Sequence, residues 1–408
     1  MANVSSSNGL EKRPKLRFPG FDEPWKVFKA EELFRNVTDK NHPDETVLTI
    51  IQGKGTLPRE QAGRNILYDD ASLSNYKKVE QGDFIIHLRS FEGGLEMANE
   101  AGIVSPAYTI LRCKRPHSSL FYDAYFHTDE FINHNLSKSV EGIRDGRQIS
   151  YEAFKWLGIP YCEPTEQEKI SNLFAALNER IAKQRDLVES LKKYKRGLLR
   201  AYFVTDNWKS QGTWSKCKLG ACCSKIGSGK TPKGGSSVYA NQGIMFLRSQ
   251  NVLWGTLDIS EVSFIDEATN STMQSSEVRF GDVLLNITGA SIGRSCIYTS
   301  NDRANVNQHV CIIRLSQESK ERLLPEFLLQ QILSDRIQQQ VMDCQNGGSR
   351  EGLNFQQIAD FNIVIPEMEE QRKICGMLKA FDQKLCNEEI SLKALFSLRT
   401  SLMQQLFI

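Results

Sequence analysis

The sequence predicts an α+β chain in which two globular domains are separated by two long helices that pair as an antiparallel coiled coil, with a pseudo-two-fold internal repeat. Three observations support this prediction. A segment that begins I-P-Y-C-E-P-T-E-Q at residue 159 returns as I-P-E-M-E-E-Q at residue 365. Apolar residues then follow each copy at helical spacing for roughly forty residues. Strand-like segments ahead of each copy also recur in the same order, and such a repeat decides the architecture.

Each copy is predicted to form one long helix, over 165–203 and 367–407. Pro164 and Pro366 stand just before them, where a missing N–H does least harm. Acidic residues in each first turn suit the positive end of the helix dipole. Matching apolar stripes favour pairing of the two helices as a coiled coil over the alternative of two unrelated core helices. With Glu166-Gln167 aligned on Glu370-Gln371, the matched pairs are Ile170/Ile374, Leu177/Phe381, Ile181/Leu385, Leu191/Leu395, Leu198/Leu402 and Phe203/Phe407.

Length and composition limit the class of protein. A chain of 408 residues is long enough for two ordinary cores. It carries 51 basic and 49 acidic residues, so its net charge of +2 does not by itself indicate a nucleic-acid partner. The ten cysteines form neither a C-x-x-C pair nor a zinc-like Cys/His spacing, so we expect reduced thiols, a cytoplasmic location and no bound metal. No apolar run approaches the roughly twenty residues of a membrane span.

The repeat also divides the chain into segments. Residues 82–88 and 281–288 are β-rich after a Gly-Asp turn, and 108–112 match 310–315. The repeat unit is therefore an α+β domain followed by a long helix. The predicted boundaries are 1–15 for a disordered tail, 16–160 for the first domain, 161–205 for a central spacer helix, 206–364 for the second domain and 365–408 for a C-terminal spacer helix.

Sequence motifs for catalysis are missing. G-S-G-K-T at 227–231 resembles a phosphate-binding loop, but position 224 is Ser where that motif needs Gly, and Pro232 stands where a helix should follow. The sequence contains no G-x-S-x-G element and no Gly-rich cofactor loop with an N/D-P-P-aromatic element. We therefore predict a chain without catalytic residues, metal or cofactor of its own.

Polar side chains on the loops of both halves are the candidate DNA contacts. Asn, Gln and Arg can make bidentate bonds to base edges, whereas Lys, Ser and Thr suit phosphates. Each residue alone is more often ordinary surface, but the group clusters on corresponding loops. In the first half the candidates are Lys54, Arg59, Arg64, His87, Arg89 and Tyr108. In the second half they are Lys230, Lys233, Arg248, Gln250, Asn251, Asn286, Thr288, Arg294, Asn307 and Gln308.

Together these elements resemble the specificity subunit of type I restriction–modification systems. The first half departs from the family pattern, because T-D-K-N-H-P at 38–43 replaces the Lys-Thr-Pro turn of the second half. The resemblance is carried by P-K-L-R-F-P-G-F-D-E-P-W at 14–25, both I-P…E-Q…I segments with their helices, K-T-P at 230–232, G-D-V-L-L-N-I-T-G-A-S-I-G at 281–293 and N-Q-H-V at 307–310.

This resemblance implies a function and a set of partners. Two target-recognition domains would each recognise one half of a split, asymmetric double-stranded DNA sequence. The paired helices would set the distance between the domains and dock two modification (methyltransferase) subunits. Those subunits would bring S-adenosylmethionine and methylate adenine, while restriction (motor and nuclease) subunits would bring ATP and cleave. Two alternatives stay open: the recognition subunit of a related two-sided, type IIB-like restriction enzyme, and a coiled-coil scaffold that joins proteins without DNA.

Overall fold

A computed structural model describes residues 11–62, 70–142, 147–203, 214–232, 238–345 and 352–407. The chain forms two compact units. Unit 1 comprises the residues up to Arg185 together with Ile390–Ile408, and unit 2 comprises Asp186–Glu389. The boundary between the units falls inside both long helices, so each unit contains part of each helix.

The strands of unit 1 are β1 (Glu11–Lys12), β2 (Trp25–Lys29), β3 (Phe34–Val37), β4 (Leu48–Ile51), β5 (Gly55–Pro58), β6 (Lys77–Val79), β7 (Phe84–Ile86), β8 (Glu96–Met97), β9 (Gly102–Val104), β10 (Thr109–Cys113), β11 (Val140–Glu141), β12 (Gln148–Ile149) and β13 (Gly158–Tyr161). Those of unit 2 are β14 (Ser215–Lys218), β15 (Cys223–Ser228), β16 (Ile244–Leu247), β17 (Ser263–Ile265), β18 (Glu277–Val278), β19 (Val283–Asn286), β20 (Ser295–Ile297), β21 (Ala304–Val306), β22 (Val310–Leu315) and β23 (Asn362–Ile365).

The α-helices are α1 (Ala30–Leu33), α2 (Ser90–Gly93), α3 (Ser119–Phe126), α4 (Tyr151–Phe154), α5 (Pro164–Phe203), α6 (Glu267–Ser271), α7 (Pro325–Ile332), α8 (Asp335–Gln345), α9 (Phe355–Ala359) and α10 (Met368–Phe407). A π-helical segment follows α3 at Glu130–Asn135. The long helices α5 and α10 confirm the two helices predicted from the apolar periodicity. Both end at the matched phenylalanines, Phe203 and Phe407.

The two units use the same sheet order, which explains the recurrence of their strand segments. Unit 1 is built on an antiparallel sheet in the order β3-β10-β7-β8, and unit 2 on one in the order β15-β22-β19-β20. In unit 2 a second sheet has the order β17-β16-β21-β18. Its pairing of β18 with β21 corresponds to that of β6 with β9 in unit 1. The sequence repeat is therefore a repeat of topology.

The N-terminal segment differs from the prediction of a disordered tail over residues 1–15. Glu11 and Lys12 pair with Lys26 and Trp25 in an antiparallel ladder. The backbone N–H of Leu16 then donates to the carbonyl oxygen of Gln405 at 3.0 Å. The prediction is wrong for residues 11–15, because main-chain pairing orders a polar segment that has few apolar side chains. Residues 1–10 lie outside the described part of the chain.

The core of unit 1 contains the start of α5 and the end of α10. Phe407 is buried against Trp25, with ring centroids 6.2 Å apart, and stacks on Phe174 at 6.0 Å. The core of unit 2 has the reverse composition, the end of α5 and the start of α10. Phe203 there meets Phe327 edge-on at 5.4 Å, and Ile374 of α10 is buried in the same cluster. The matched residues of the repeat therefore occupy matched core positions.

The Glu of the repeated E-Q pair binds a tryptophan in each unit. The indole N–H of Trp25 donates to Glu166 at 2.9 Å, and that of Trp214 donates to Glu370 at 2.9 Å. In unit 1 Arg17 also pairs with Glu166, at 2.8 Å. Hydrogen bonds to a carboxylate are stronger than neutral ones, so each bond fixes the entry to a long helix.

The Gln of the E-Q pair fixes the same helix to the rest of its unit. Gln167 accepts the N–H of Ser118 at 3.0 Å and donates to the carbonyl of Cys162 at 2.8 Å. Gln371 accepts the N–H of Leu324 at 2.9 Å and donates to Pro366. Both amides are fully buried, and a buried polar group must find partners. This requirement explains why the glutamine recurs at the same position of both long helices.

Candidate nucleic-acid interface

Loops of unit 2 converge where the strands of its two sheets end, and this end of the strands is called the sheet edge below. The N–H of Gly229, just after β15, donates to the carbonyl of Asn307 at 3.1 Å. The N–H of Asn307 donates to the carbonyl of Leu247, the last residue of β16, at 3.1 Å. The N–H of Ile287, just after β19, donates to the carbonyl of His309 at 3.0 Å. These bonds join the loops after β15, β16 and β19 to the turn between β21 and β22.

A chain of side-chain hydrogen bonds crosses this edge. The hydroxyl of Thr231 donates to Oε1 of Gln308. Nε2 of Gln308 lies 3.1 Å from Nε2 of His309, and Nδ1 of His309 bonds to the hydroxyl of Thr288. Thr288 and Gln308 were predicted from the sequence, whereas Thr231 and His309 were not among the candidates. Their only sequence signal is their position inside the K-T-P and N-Q-H-V segments.

Four further candidates in unit 2 lie near the same loops and keep solvent access. Lys230 and Gln250 are exposed, and Arg248 and Arg294 are half-buried. The guanidinium of Arg248 lies 5.8 Å from the ring centroid of Tyr239, within the range of a cation–π contact. Its buried Nε has no hydrogen-bond partner among the described residues. These side chains can still reach a ligand.

The three asparagines of the candidate set are used inside the domain. Asn251 accepts the N–H of Arg248 at 2.9 Å and donates to the carbonyl of Asp258 at 2.9 Å. Asn286 is fully buried and donates to the carbonyl of Ser249 at 2.8 Å. Oδ1 of Asn307 accepts the N–H of His309 at 3.1 Å. These amides hold turns, and their contact with bases stays a prediction.

The candidates of unit 1 occupy the corresponding edge of its sheet. His87 follows β7 and Tyr108 precedes β10, and their rings lie 6.4 Å apart because β7 and β10 are neighbours. Lys54 is exposed in the turn of the β4–β5 hairpin, and Arg59 follows β5. Arg89 is exposed and pairs with Glu92 at 2.6 Å. Arg64 of unit 1 and Lys233 of unit 2 lie outside the described residues.

His87 and Tyr108 contribute hydrogen bonds and ring surface rather than charge. Burial lowers the pKa of His87, and Nε2 of its ring is buried without a partner among the described residues. Burial likewise raises the pKa of Tyr108. Both groups are therefore neutral near neutral pH, and neither would add to the attraction for phosphates.

A buried carboxylate that the sequence did not single out supports the hairpin of unit 1. Glu96 accepts the N–H groups of Gly53 at 2.6 Å and Gly55 at 2.8 Å, and lies 3.4 Å from Nε2 of His127. Burial acts to raise the pKa of Glu96, but the bonds from His127 and the two amides outweigh it, so the pKa is lowered. The Glu96–His127 pair thus positions the turn that carries Lys54.

The described residues offer neither a metal-binding cluster nor a membrane-spanning helix. They contain no group of three or more His, Cys, Asp or Glu side chains arranged to hold a metal ion. None of their helices is long and apolar enough to cross a bilayer.

Comparisons with known proteins agree with this arrangement. Residues 212–394 match the family model described as the type I restriction modification DNA specificity domain. The chain is 20% identical over 319 residues to the type I restriction enzyme MjaVIII specificity subunit of Methanocaldococcus jannaschii, covering 74% of this chain and 73% of that protein.

Two solved structures share the fold over nearly the whole chain. The type I restriction–modification S subunit from M. genitalium has a TM-score of 0.58 at 15% identity, covering 97% of this chain and 99% of that one. A chain from a study of complex assembly and conformational transition in the type I system has a TM-score of 0.58 at 16% identity, covering 96% and 99%.

A duplicated α+β domain with polar loops gathered at one sheet edge, together with the family match, defines a DNA-recognition subunit. Residues 212–394 match the DNA specificity domain of type I restriction–modification systems, and the chain is similar over most of its length to a type I specificity subunit.

Proposed function

We propose that this subunit recognises a bipartite, asymmetric DNA target, with each unit contacting one half through the loops at its sheet edge. The observation that carries the proposal is the shared topology, which brings candidate residues to the same edge of β3-β10-β7-β8 and of β15-β22-β19-β20. Two domains that present the same edge with different side chains suit two different half-sites.

We further propose that α5 and α10 pair along their length as an antiparallel coiled coil that separates the two domains and docks two modification subunits. Contacts within each unit support this pairing. In unit 1 Arg399 donates to Asn178 at 2.9 Å, and the guanidinium of Arg185 lies 5.7 Å from the ring centroid of Phe396. In unit 2 Lys192 pairs with Glu389 at 3.1 Å, and the rings of Tyr194 and Phe381 stack at 5.5 Å. In both units, residues further along α5 meet residues earlier in α10.

The subunit itself is proposed to be non-catalytic. Methylation of adenine, with S-adenosylmethionine, would be the task of the modification subunits, and ATP-driven cleavage that of the restriction subunits. What this chain contributes is position: phosphate contacts would hold the domains on the duplex, and base contacts would select the sequence.

Exchange of one domain tests the bipartite mechanism. Residues 209–358 would be replaced by the second domain of another family member, and the assembled modification complex would be used to map methylated sites. We expect only one half of the target to change. A change in both halves would contradict separate recognition, and an active complex without any sequence preference would favour a scaffold.

Lengthening α5 tests the spacing role of the helices. Duplicating four residues near Lys183 adds about 6 Å along a helix and about one turn, which keeps the apolar stripe nearly in phase. Since each base pair rises about 3.4 Å, we expect the spacer to grow by about one or two base pairs while both half-sites stay the same. An unchanged spacer in an active complex would mean that another feature sets the distance.

A further inference from the structure

Gln308 is an exposed side chain on a turn that is held by several hydrogen bonds. It lies between β21 and β22, next to Asn307, whose carbonyl accepts the N–H of Val310 at 3.3 Å. Oδ1 of Asn307 also accepts the N–H of His309 at 3.1 Å, so the side chain of Asn307 bonds to the backbone of the same turn. The backbone that presents Gln308 is therefore held on both sides.

The amide of Gln308 has a defined orientation. Thr231 donates its hydroxyl to Oε1, while Nε2 faces Nε2 of His309 at 3.1 Å. An amide nitrogen can only donate, so His309 accepts at Nε2 and carries its ring proton on Nδ1, toward the hydroxyl of Thr288. Thr231 and His309 thereby distinguish the oxygen end of the amide from the nitrogen end.

These two bonds leave a specific hydrogen-bonding pattern on Gln308. A primary amide has two N–H donors and an oxygen with two lone pairs. With one donor directed to His309 and one lone pair taken by Thr231, one donor and one acceptor of this exposed amide have no partner among the described residues. In the major groove adenine offers an acceptor at N7 beside a donor at N6, whereas guanine offers two acceptors.

We propose that Gln308 recognises an adenine in the half-site contacted by unit 2, with Thr231 and His309 as positioning residues. The inference rests on the proposed function, because it requires DNA at this edge of unit 2. A phosphate contact is the competing role for an exposed glutamine, but a phosphate needs only a donor and gains nothing from a fixed acceptor. The oriented amide therefore favours a base.

Selection from random DNA tests this assignment. The full chain, assembled with its modification subunits, would be incubated with duplexes that carry a randomised central segment, and bound molecules would be sequenced. Gln308→Glu keeps the acceptors and removes the donor, so preference for adenine at one position should fall at least about fivefold while other positions stay constant. The control is Gln242→Glu, which adds the same charge at an exposed residue before β16. This end of the strand is opposite to Arg248, so the variant should change the preference at no position of the selected DNA.

Two variants of Thr231 test its role in positioning the amide of Gln308. Thr231→Val removes the hydroxyl at nearly constant volume and leaves the amide of Gln308 free to turn over. Adenine preference at the same position should weaken, whereas Thr231→Ser should restore it. Thermal unfolding of both variants should match that of the unchanged protein, which separates lost orientation from lost stability.

The outcomes distinguish failure of the proposed function from failure of the assignment of Gln308. If the unchanged complex selects no sequence, the proposed function fails and the assignment of Gln308 fails with it. A bipartite selection that Gln308→Glu leaves intact overturns only the assignment. Uniform weakening of all bound sequences by Gln308→Glu also overturns it, because that result identifies a phosphate contact.

Discussion

Unit 1 and unit 2 hold their sheets in the same way but support their candidate DNA-facing loops differently. Arg112 pairs with Asp83 at 2.7 Å in unit 1, and Arg314 pairs with Asp282 at 2.6 Å in unit 2. Each aspartate precedes the strand whose far end leads to the candidate loop. At that far end, unit 1 has a hairpin held by the buried carboxylate of Glu96, whereas unit 2 has a relay of hydrogen bonds through Thr231, Gln308, His309 and Thr288.

This difference teaches where such a domain can vary. The ion pair and the Trp–Glu and Gln–backbone bonds lie away from the candidate loops and recur in both units. The supports of the loops do not recur, since a carboxylate that binds backbone N–H groups and a hydroxyl–amide–imidazole relay are unrelated solutions. A fixed frame therefore permits the candidate loops to change independently of the rest of each domain.

The largest expected effect comes from breaking the shared ion pair. Asp282 is 1% exposed and is the only carboxylate seen with Arg314 among the described residues, so Asp282→Ala should cost about 3 kcal/mol. Asp83→Ala should cost less, because Glu80 remains 2.8 Å from Arg112. Hydrogen exchange of amides in β19 and β22, compared with β7 and β10, would measure both. Glu261→Ala, at an exposed carboxylate of unit 2, is the control, and an equal loss in the two units would contradict the comparison.

A middle-sized effect should appear on acidification at the β4–β5 hairpin of unit 1. The pKa of Glu96 is lowered in the folded state, so its contribution is present above its unfolded value near 4.5 and is lost as pH falls through the folded pKa. Bonds to a charged group are worth about 1.5–3 kcal/mol, so the protection of Gly53 and Gly55 from exchange, relative to the intrinsic rate at each pH, should fall. Glu96→Gln should remove this pH step.

His127 gives the opposite sign in the same hairpin. Burial acts to lower its pKa, but the bond to Glu96 and the charge of Asp123 outweigh it, so the pKa is raised above 6.5. Its contribution is therefore present below 6.5 and is lost as pH rises through the folded value. Acid-induced loss of protection at Gly53 and Gly55 that Glu96→Gln leaves unchanged would contradict the role assigned to Glu96.

The smallest effects concern the exposed lysines. Lys230→Ala and Lys54→Ala should each weaken binding to every sequence alike and reduce the salt dependence of log K by about one. Titration of DNA binding at several salt concentrations would measure this. A loss for Lys230 alone would mean that the hairpin of unit 1 does not approach the phosphates.

The sequence predicted the long elements well and the loop chemistry less well. One apolar period over the length of α5 and α10 carries enough information to locate both helices, and the Glu-Gln recurrence marked their starts. The turn-closing bonds of Asn251 and Asn286 were not foreseen, because an asparagine in a loop looks the same in the sequence whether it faces a base or closes a turn. Burial separates the two roles. Glu96 gave no signal, since its partners Gly53, Gly55 and His127 come from distant segments.

The way each core is completed has a consequence for synthesis on the ribosome. Trp25 is among the earliest core residues of unit 1, yet its neighbour Phe407 belongs to the last turn of α10. The buried cluster around Phe203 and Phe327 draws all its residues from within unit 2. Since domains generally fold as units when their residues have emerged, the residues of the unit 2 core are all made before those of unit 1 are complete, although most of unit 1 is made first. Unit 1 must wait, partly formed, until the end of α10 is released.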